Sequence, residues 1–159
     1  MKKLLLPAAV LVLAAFAALP LLRAADHHDK PKRTPSPKGA VSYIVSPADG
    51  ATVKRKFKVV FGLTGMGICP AGILAADGKP LPDTGHHPLL VDVDQLPPLD
   101  THLAPDQPTR YMHFGKGQTE VMLDLAPGKH TLQLVFADHA HVPHDPPVIS
   151  KKITVTVVE

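Results

Sequence analysis

The chain has one cysteine, Cys69, and no tryptophan. A single thiol excludes an intrachain disulfide and the paired-cysteine spacing of closed structural zinc sites, so the core alone must hold the fold. Cys69 is then either a small buried hydrophobe or a free thiol. Aromatic residues amount to only 4% of the sequence. Usable charge is also missing. Lys2, Lys3 and Arg23 lie in the first 25 residues, which contain no acids; setting these three aside leaves 14 basic residues against 14 acidic ones. A body without net charge has no electrostatic case for binding nucleic acid. No Gly-X-Ser-X-Gly elbow occurs. Gly115-Lys116-Gly117-Gln118-Thr119 lacks phosphate-loop spacing and precedes a strand pattern rather than a helix. No internal repeat and no helix-period segment follow residue 25.

The N-terminus carries a different signal. Lys2 and Lys3 precede an apolar run from Leu4 to Leu22, and Leu22-Arg23-Ala24-Ala25 offers small residues for cleavage. Residues 1–25 therefore read as a signal helix, removed after Ala24 or Ala25, which places the body in the periplasm or outside the cell. The other reading is an uncleaved anchor, the one case in which the membrane is a partner. Residues 26–40, with His27, His28, four basic groups and three prolines, read as a disordered linker.

From Val41 the pattern is β. Val41–Val45, Phe57–Leu63, Leu89–Val93, Glu120–Leu125, His130–Phe136 and Val148–Val158 are predicted strands, with Thr64–Gly72 a loop or bulged short strand. Phe57, Val59, Phe61 and Leu63 share one face, as do Leu132, Leu134 and Phe136, and Ile153, Val155 and Val157. Ala126-Pro127-Gly128-Lys129 reads as a hairpin turn, and residues 94–110 as a long Pro/Asp loop. The expected fold for residues 41–159 is all-β: an immunoglobulin-like or fibronectin-like antiparallel sandwich of six or seven strands.

Eight of the ten histidines fall in this body, three of them within His139-Ala140-His141-Val142-Pro143-His144. Neutral imidazole suits zinc, copper, nickel and iron. The candidate ligands are His86 or His87, His113, His141 and His144, with His139 and Met112 as accessories. Adjacent strand residues point to opposite faces, which sets His86 and His87 against sharing one ion. A thioether from Met66 or Met112, or the Cys69 thiolate, would favour copper. His130 reads as a strand-end residue and His102 as a solvent-exposed one. The bland alternative is that the imidazoles only brace loops through hydrogen bonds.

Five blocks carry a family resemblance: Gly65-Met66-Gly67-Ile68 with Pro70-Ala71-Gly72; Thr84-Gly85-His86-His87; His113-Phe114-Gly115 with Gly117-Gln118-Thr119-Glu120; Pro127-Gly128 with His130-Thr131-Leu132-Gln133-Leu134; and His141-Val142-Pro143-His144 with Pro146-Pro147-Val148. Over residues 43–158 the chain resembles the bacterial domain-of-unknown-function family numbered 4399. The resemblance implies a small exported β-domain and supplies no reaction. His86, His87, His113, His130, His141 and His144 match its pattern by position, His139 less firmly. Pro88 stands where the family has a third histidine, and Cys69 where it has a small residue.

Three functions follow from these residues. The leading one is a periplasmic, non-enzymatic domain that binds copper or zinc for buffering or delivery. The alternative is an envelope interaction module whose partner is another envelope protein and whose histidines are structural. A third, a metal-dependent hydrolase or oxidase, would need a base such as Asp138, Asp145 or Glu120 beside an open coordination position.

Overall fold

The computed structural model describes residues 30–103 and 109–159. The expected signal helix, together with His27 and His28, lies outside the described residues.

Among the described residues ten strands run in the order β1 (Val41–Ser46), β2 (Thr52–Lys54), β3 (Lys56–Thr64), β4 (Gly67–Ile68), β5 (Thr84–Gly85), β6 (Pro88–Val91), β7 (Tyr111–His113), β8 (Glu120–Asp124), β9 (Gly128–Leu134) and β10 (Ile153–Val158). They form a three-stranded sheet, β1-β3-β8, and a five-stranded sheet, β2-β10-β9-β6-β7, with a small β4-β5 pair at one end. Two mostly antiparallel sheets with the chain crossing between them make an immunoglobulin-type sandwich. The expected count of six or seven strands is too low, because β2, β4, β5 and β7 have only two or three residues and show no readable alternation. Nor is the pairing purely antiparallel: β2 runs parallel to β10, and β4 to β5.

The inward faces are those the alternation dictates. Phe57, Val59 and Phe61 of β3 and Leu123 of β8 meet Leu89 and Val91 of β6, Leu132 and Leu134 of β9, and Val155 and Val157 of β10 in one buried cluster. Each large side chain buried there contributes about 1.5–3 kcal/mol. β6 is buried on both faces. Its Leu90 points the other way, into a second cluster with Val93, Leu103, Val135 and Ala137. The loop after β6 thus covers the outer face of the five-stranded sheet.

The turn at Ala126–Lys129 is not a hairpin. β8 pairs with β3, whereas β9 pairs with β10 and β6, so the turn carries the chain from one sheet to the other. Both strands have a single apolar face, and local alternation does not say which sheet a strand joins. The last strand is also shorter than expected. Val148 and Ile149 still meet the end of β9, through the Phe136 N–H to the Val148 carbonyl and a Val135–Ile149 bridge. The ladder then breaks at Ser150, whose Oγ accepts the Leu134 N–H at 2.9 Å.

The described part of the expected linker is tied to the body. Arg33 Nε donates to the Pro143 carbonyl at 3.0 Å, the Ser36 N–H to the Asp145 carbonyl at 3.1 Å, and Thr34 Oγ1 to Asp138 at 2.6 Å. Composition gave no sign of these bonds, because they satisfy polar groups rather than bury apolar ones.

His130 is a strand-end residue with acceptors on both ring nitrogens, Asp92 at 2.7 Å and the Ala126 carbonyl at 2.8 Å. Only the imidazolium donates from both. Partial burial acts to lower its pKa, but the Asp92 bond, the Ala126 carbonyl and the Asp92 charge outweigh this and raise it. Its stabilisation is therefore complete below the unfolded value near 6.5 and is lost as pH rises through the higher folded value. The melting-temperature advantage of the wild type over His130→Gln should be larger at pH 5.5 than at pH 8.5. An advantage independent of pH would show that His130 stays neutral.

Candidate metal centre

The histidines gather where β5, β7 and the loop after β9 meet at one end of the sandwich. β5 leads into His86, which exchanges two backbone hydrogen bonds with Ala137, 2.9 and 3.0 Å long. Gly85 makes this approach possible, since a Cβ there would run into the Ala137 carbonyl. His113 closes β7 and pairs with Pro88 of β6. Gly115 leaves the space that the His113 ring occupies.

His141 is placed by Asp138. This buried carboxylate accepts the Ala140 N–H at 2.9 Å and the Val142 N–H at 3.0 Å on one oxygen, and the Thr34 hydroxyl on the other. The main chain closes the same turn: the His141 N–H reaches the Asp138 carbonyl, and the Asp138 N–H reaches the Val142 carbonyl. His141 sits at φ 66°, in the left-handed region. A residue other than glycine held there costs on the order of 1 kcal/mol or more and points to a local requirement. The Leu103 N–H donates to the His141 carbonyl at 2.9 Å, which ties the long loop to the same turn.

The outcome is a group of three. One ring nitrogen from each of His86, His113 and His141 lies within 4.8 Å of the others. The Nε2 atoms of His113 and His141 are 3.2 Å apart. Metal–nitrogen bonds of about 2.0–2.1 Å in a tetrahedral site set their donors roughly 3.3 Å apart. His86 is fully buried, His141 is half-buried and His113 is exposed, so the group opens to solvent on one side. Burial above all, then the nearby His113 and His141 rings, pushes the His86 pKa down to about 3. Burial and His141 likewise lower that of His113. Both are neutral at pH 7, the form in which imidazole offers a lone pair.

The other candidates lie outside this group. His87 points to the opposite side from His86, as strand periodicity requires, with its ring 5.3 Å from Phe61 and 5.0 Å from Phe136. Burial alone lowers its pKa to about 4. His144 is fully buried and stacks on Phe136 at 5.7 Å. Its pKa is lowered by burial; Asp138 and neighbouring backbone carbonyls oppose this, although no carbonyl reaches hydrogen-bond geometry. His139 lines a separate cavity of about 360 Å³ with Lys32, Arg33 and Pro80. His102 is exposed and bonds the Ala140 carbonyl. Met112 packs against the main core, on the opposite face of β7 from His113. The buried Cys69 is outside the three-residue group. Asp138 was expected as a possible base, but its carboxylate is committed to the turn.

The pattern of the family described as Domain of unknown function (DUF4399) matches residues 59–158, most of the chain and the whole histidine group. The chain belongs to this family. Among solved structures, the DUF4399 chain is similar to an endo-beta-1,4-mannanase from Thermotoga petrophila, at 16% identity and a TM-score of 0.39, over 76% of this chain and 20% of that one. It is also similar to the fibronectin(III)-like modules of Clostridium thermocellum CbhA, at 12% identity and a TM-score of 0.36, over 74% of this chain and 45% of that one. It thus spans a fifth of the first protein and under half of the second. No curated protein matches the DUF4399 chain.

The geometry makes two predictions. His141→Gly and His141→Ala both remove the imidazole, but only alanine keeps the strained φ. The glycine variant should be the more stable by about 1 kcal/mol in urea unfolding; equal stabilities would mean that the turn is not held at positive φ. Asp138→Ala should cost about 2–3 kcal/mol, since it leaves the buried Val142 N–H and the part-buried Ala140 N–H without their acceptor. It should also broaden the His141 ring resonances in NMR spectra, whereas a merely surface carboxylate would leave both stability and spectra unchanged.

Proposed function

We propose that this is an exported, non-enzymatic domain that binds one copper or zinc ion through His86, His113 and His141 and serves to buffer or deliver it. The observation that carries the reading is the meeting of three ring nitrogens from three separate segments, two of them at the spacing a shared ion would impose. Three imidazoles suit zinc and oxidised copper alike. With Met112 in the core, the thioether argument for copper weakens. One donor is buried and two reach the surface, so an ion held there would keep a solvent-facing position for exchange with a partner. Export rests on residues 1–25, with their basic start, apolar run and small residues at the expected cleavage point.

A second reading, an interaction module of the cell envelope, is favoured by the outer face of β1, where Val41, Tyr43 and Val45 are 49%, 41% and 56% exposed. The aromatic packing of His87 and His144 fits the loop-bracing role that this reading gives to histidines.

Equilibrium dialysis of the full chain against copper(II) and zinc should give about one ion per chain beyond any held by the N-terminal tail. The double variant His27→Ala with His28→Ala isolates the body site and should retain that ion. In this background His113→Ala or His141→Ala should weaken binding at least about tenfold, roughly 1.4 kcal/mol. Ion binding should also raise the melting temperature. Absence of binding in the tail variant, or binding untouched by His113→Ala with His141→Ala together, would overturn the metal reading in favour of bracing.

A further inference from the structure

A second cavity, of about 320 Å³, opens between β1, β3 and β4. It exists because β8 starts late. Glu120 pairs with Val60, so from Phe61 onward β3 has β1 on one side and only the Thr119 carbonyl on the other. Gly62 contributes no side chain, and the Tyr43 ring lies across the space that a Cβ there would fill. The walls are the aromatic rings of Tyr43 and Phe61 and the aliphatic side chains of Val45, Leu63 and Ile68, with the Met66 thioether and the polar Thr119 beside them. No charged side chain lines the cavity.

His87 lines it too. That side chain is 1% exposed, and neither ring nitrogen has a hydrogen-bond partner among the described residues. A buried polar atom of this kind keeps its desolvation penalty until something bonds it. The ring is held by tilted contacts with Phe61 and Phe136. What remains unsatisfied is one donor and one acceptor on a ring that borders the cavity.

We infer that this cavity is a binding site for a small neutral ring compound carrying one hydroxyl or amide group. The ring would pack against Tyr43, Phe61 and Met66, and its polar group would bond to His87 once that imidazole turns toward the cavity, since neither of its nitrogens is solvent-accessible in this structure. Aromatic and thioether walls favour a flat ring. The absence of charge on the walls disfavours an ionic ligand, which would lose its hydration without compensation. The volume lies at the lower end of ligand pockets, about 300–1,000 Å³, which fits one ring rather than several. This site is distinct from the histidine group: His87 faces away from His86, and the inference stands whether or not a metal binds.

The test uses phenol and benzene as probes in NMR titrations of the full chain. Phenol should give saturable shifts at Tyr43, Phe61, Met66 and the His87 ring, and should bind about tenfold more tightly than benzene, the value of one hydrogen bond. His87→Phe should erase that preference and leave benzene binding in place. His113→Ala should change neither. If His87→Phe does not fold, Met66→Trp, which fills the cavity from its rim, should abolish binding of both probes. Shifts that do not saturate, shifts located elsewhere, or an unaltered phenol preference in His87→Phe would overturn the assignment.

Discussion

The candidate metal centre depends on how one buried carboxylate is used. Asp138 ends the run of residues paired with His86 and at once turns the chain back on itself. Its two oxygens take up the Ala140 and Val142 N–H groups and the Thr34 hydroxyl. Burying a carboxylate without partners is costly, so these bonds are as much a condition of its burial as a gain from it. They also force His141 into a backbone conformation it would not otherwise keep. The strap from Lys30 to Ser36, which supplies Thr34 and Arg33, is in this way part of the site's support although it contributes no candidate ligand.

Around that turn the sandwich does something most cores avoid. His86, His87 and His144 are all within 1% of full burial, and none of their six ring nitrogens has a partner among the described residues. At about 1–3 kcal/mol for each unsatisfied group, three such rings consume much of an ordinary domain's stability margin. Their positions differ in what could relieve this. The His86 nitrogens lie beside His113 and His141, where an ion can satisfy one of them. His87 borders the uncharged cavity between β1, β3 and β4. His144 is covered by Phe136 and by the carbonyls of the N-terminal strap. One cluster of similar residues thus divides into three chemical situations.

Much of the fold was legible because its long strands are amphipathic with period two. Phe57, Val59 and Phe61, and Ile153, Val155 and Val157, point inward as their alternation requires. Partner choice was not legible, since β8 and β9 carry the same kind of pattern and lie in different sheets. Family membership was readable from five separated blocks. The site was readable in part. Sequence spacing nominated His113 and His141, and the two-fold strand period already divided His86 from His87. Choosing between those two required knowing which side of β6 faces the core. Asp138 could be flagged as a polar residue in a histidine-rich loop, but its bond to Thr34 spans 104 positions, and no local pattern encodes it.

The division of His86 from His87 has a further consequence for the way the domain is built. Consecutive residues serve opposite sides of one strand end, so the two environments share a single piece of backbone. His86 is fixed by its paired bonds with Ala137, and His87 by aromatic contacts with Phe61 and Phe136. Ala137 and Phe136 are themselves consecutive in the partner segment. A shift of that segment by one residue would change the surroundings of both histidines, taking His86 away from His113 and His141 and His87 away from Phe61 and Phe136. What prevents the shift is the main core just below: Leu134 is paired with Leu89, and Leu132 with Val91, all without solvent contact or nearly so. The apolar register of β6 and β9 therefore fixes which imidazole faces His113 and His141, and the arrangement at the mouth of the sandwich is determined by packing two residues beneath it.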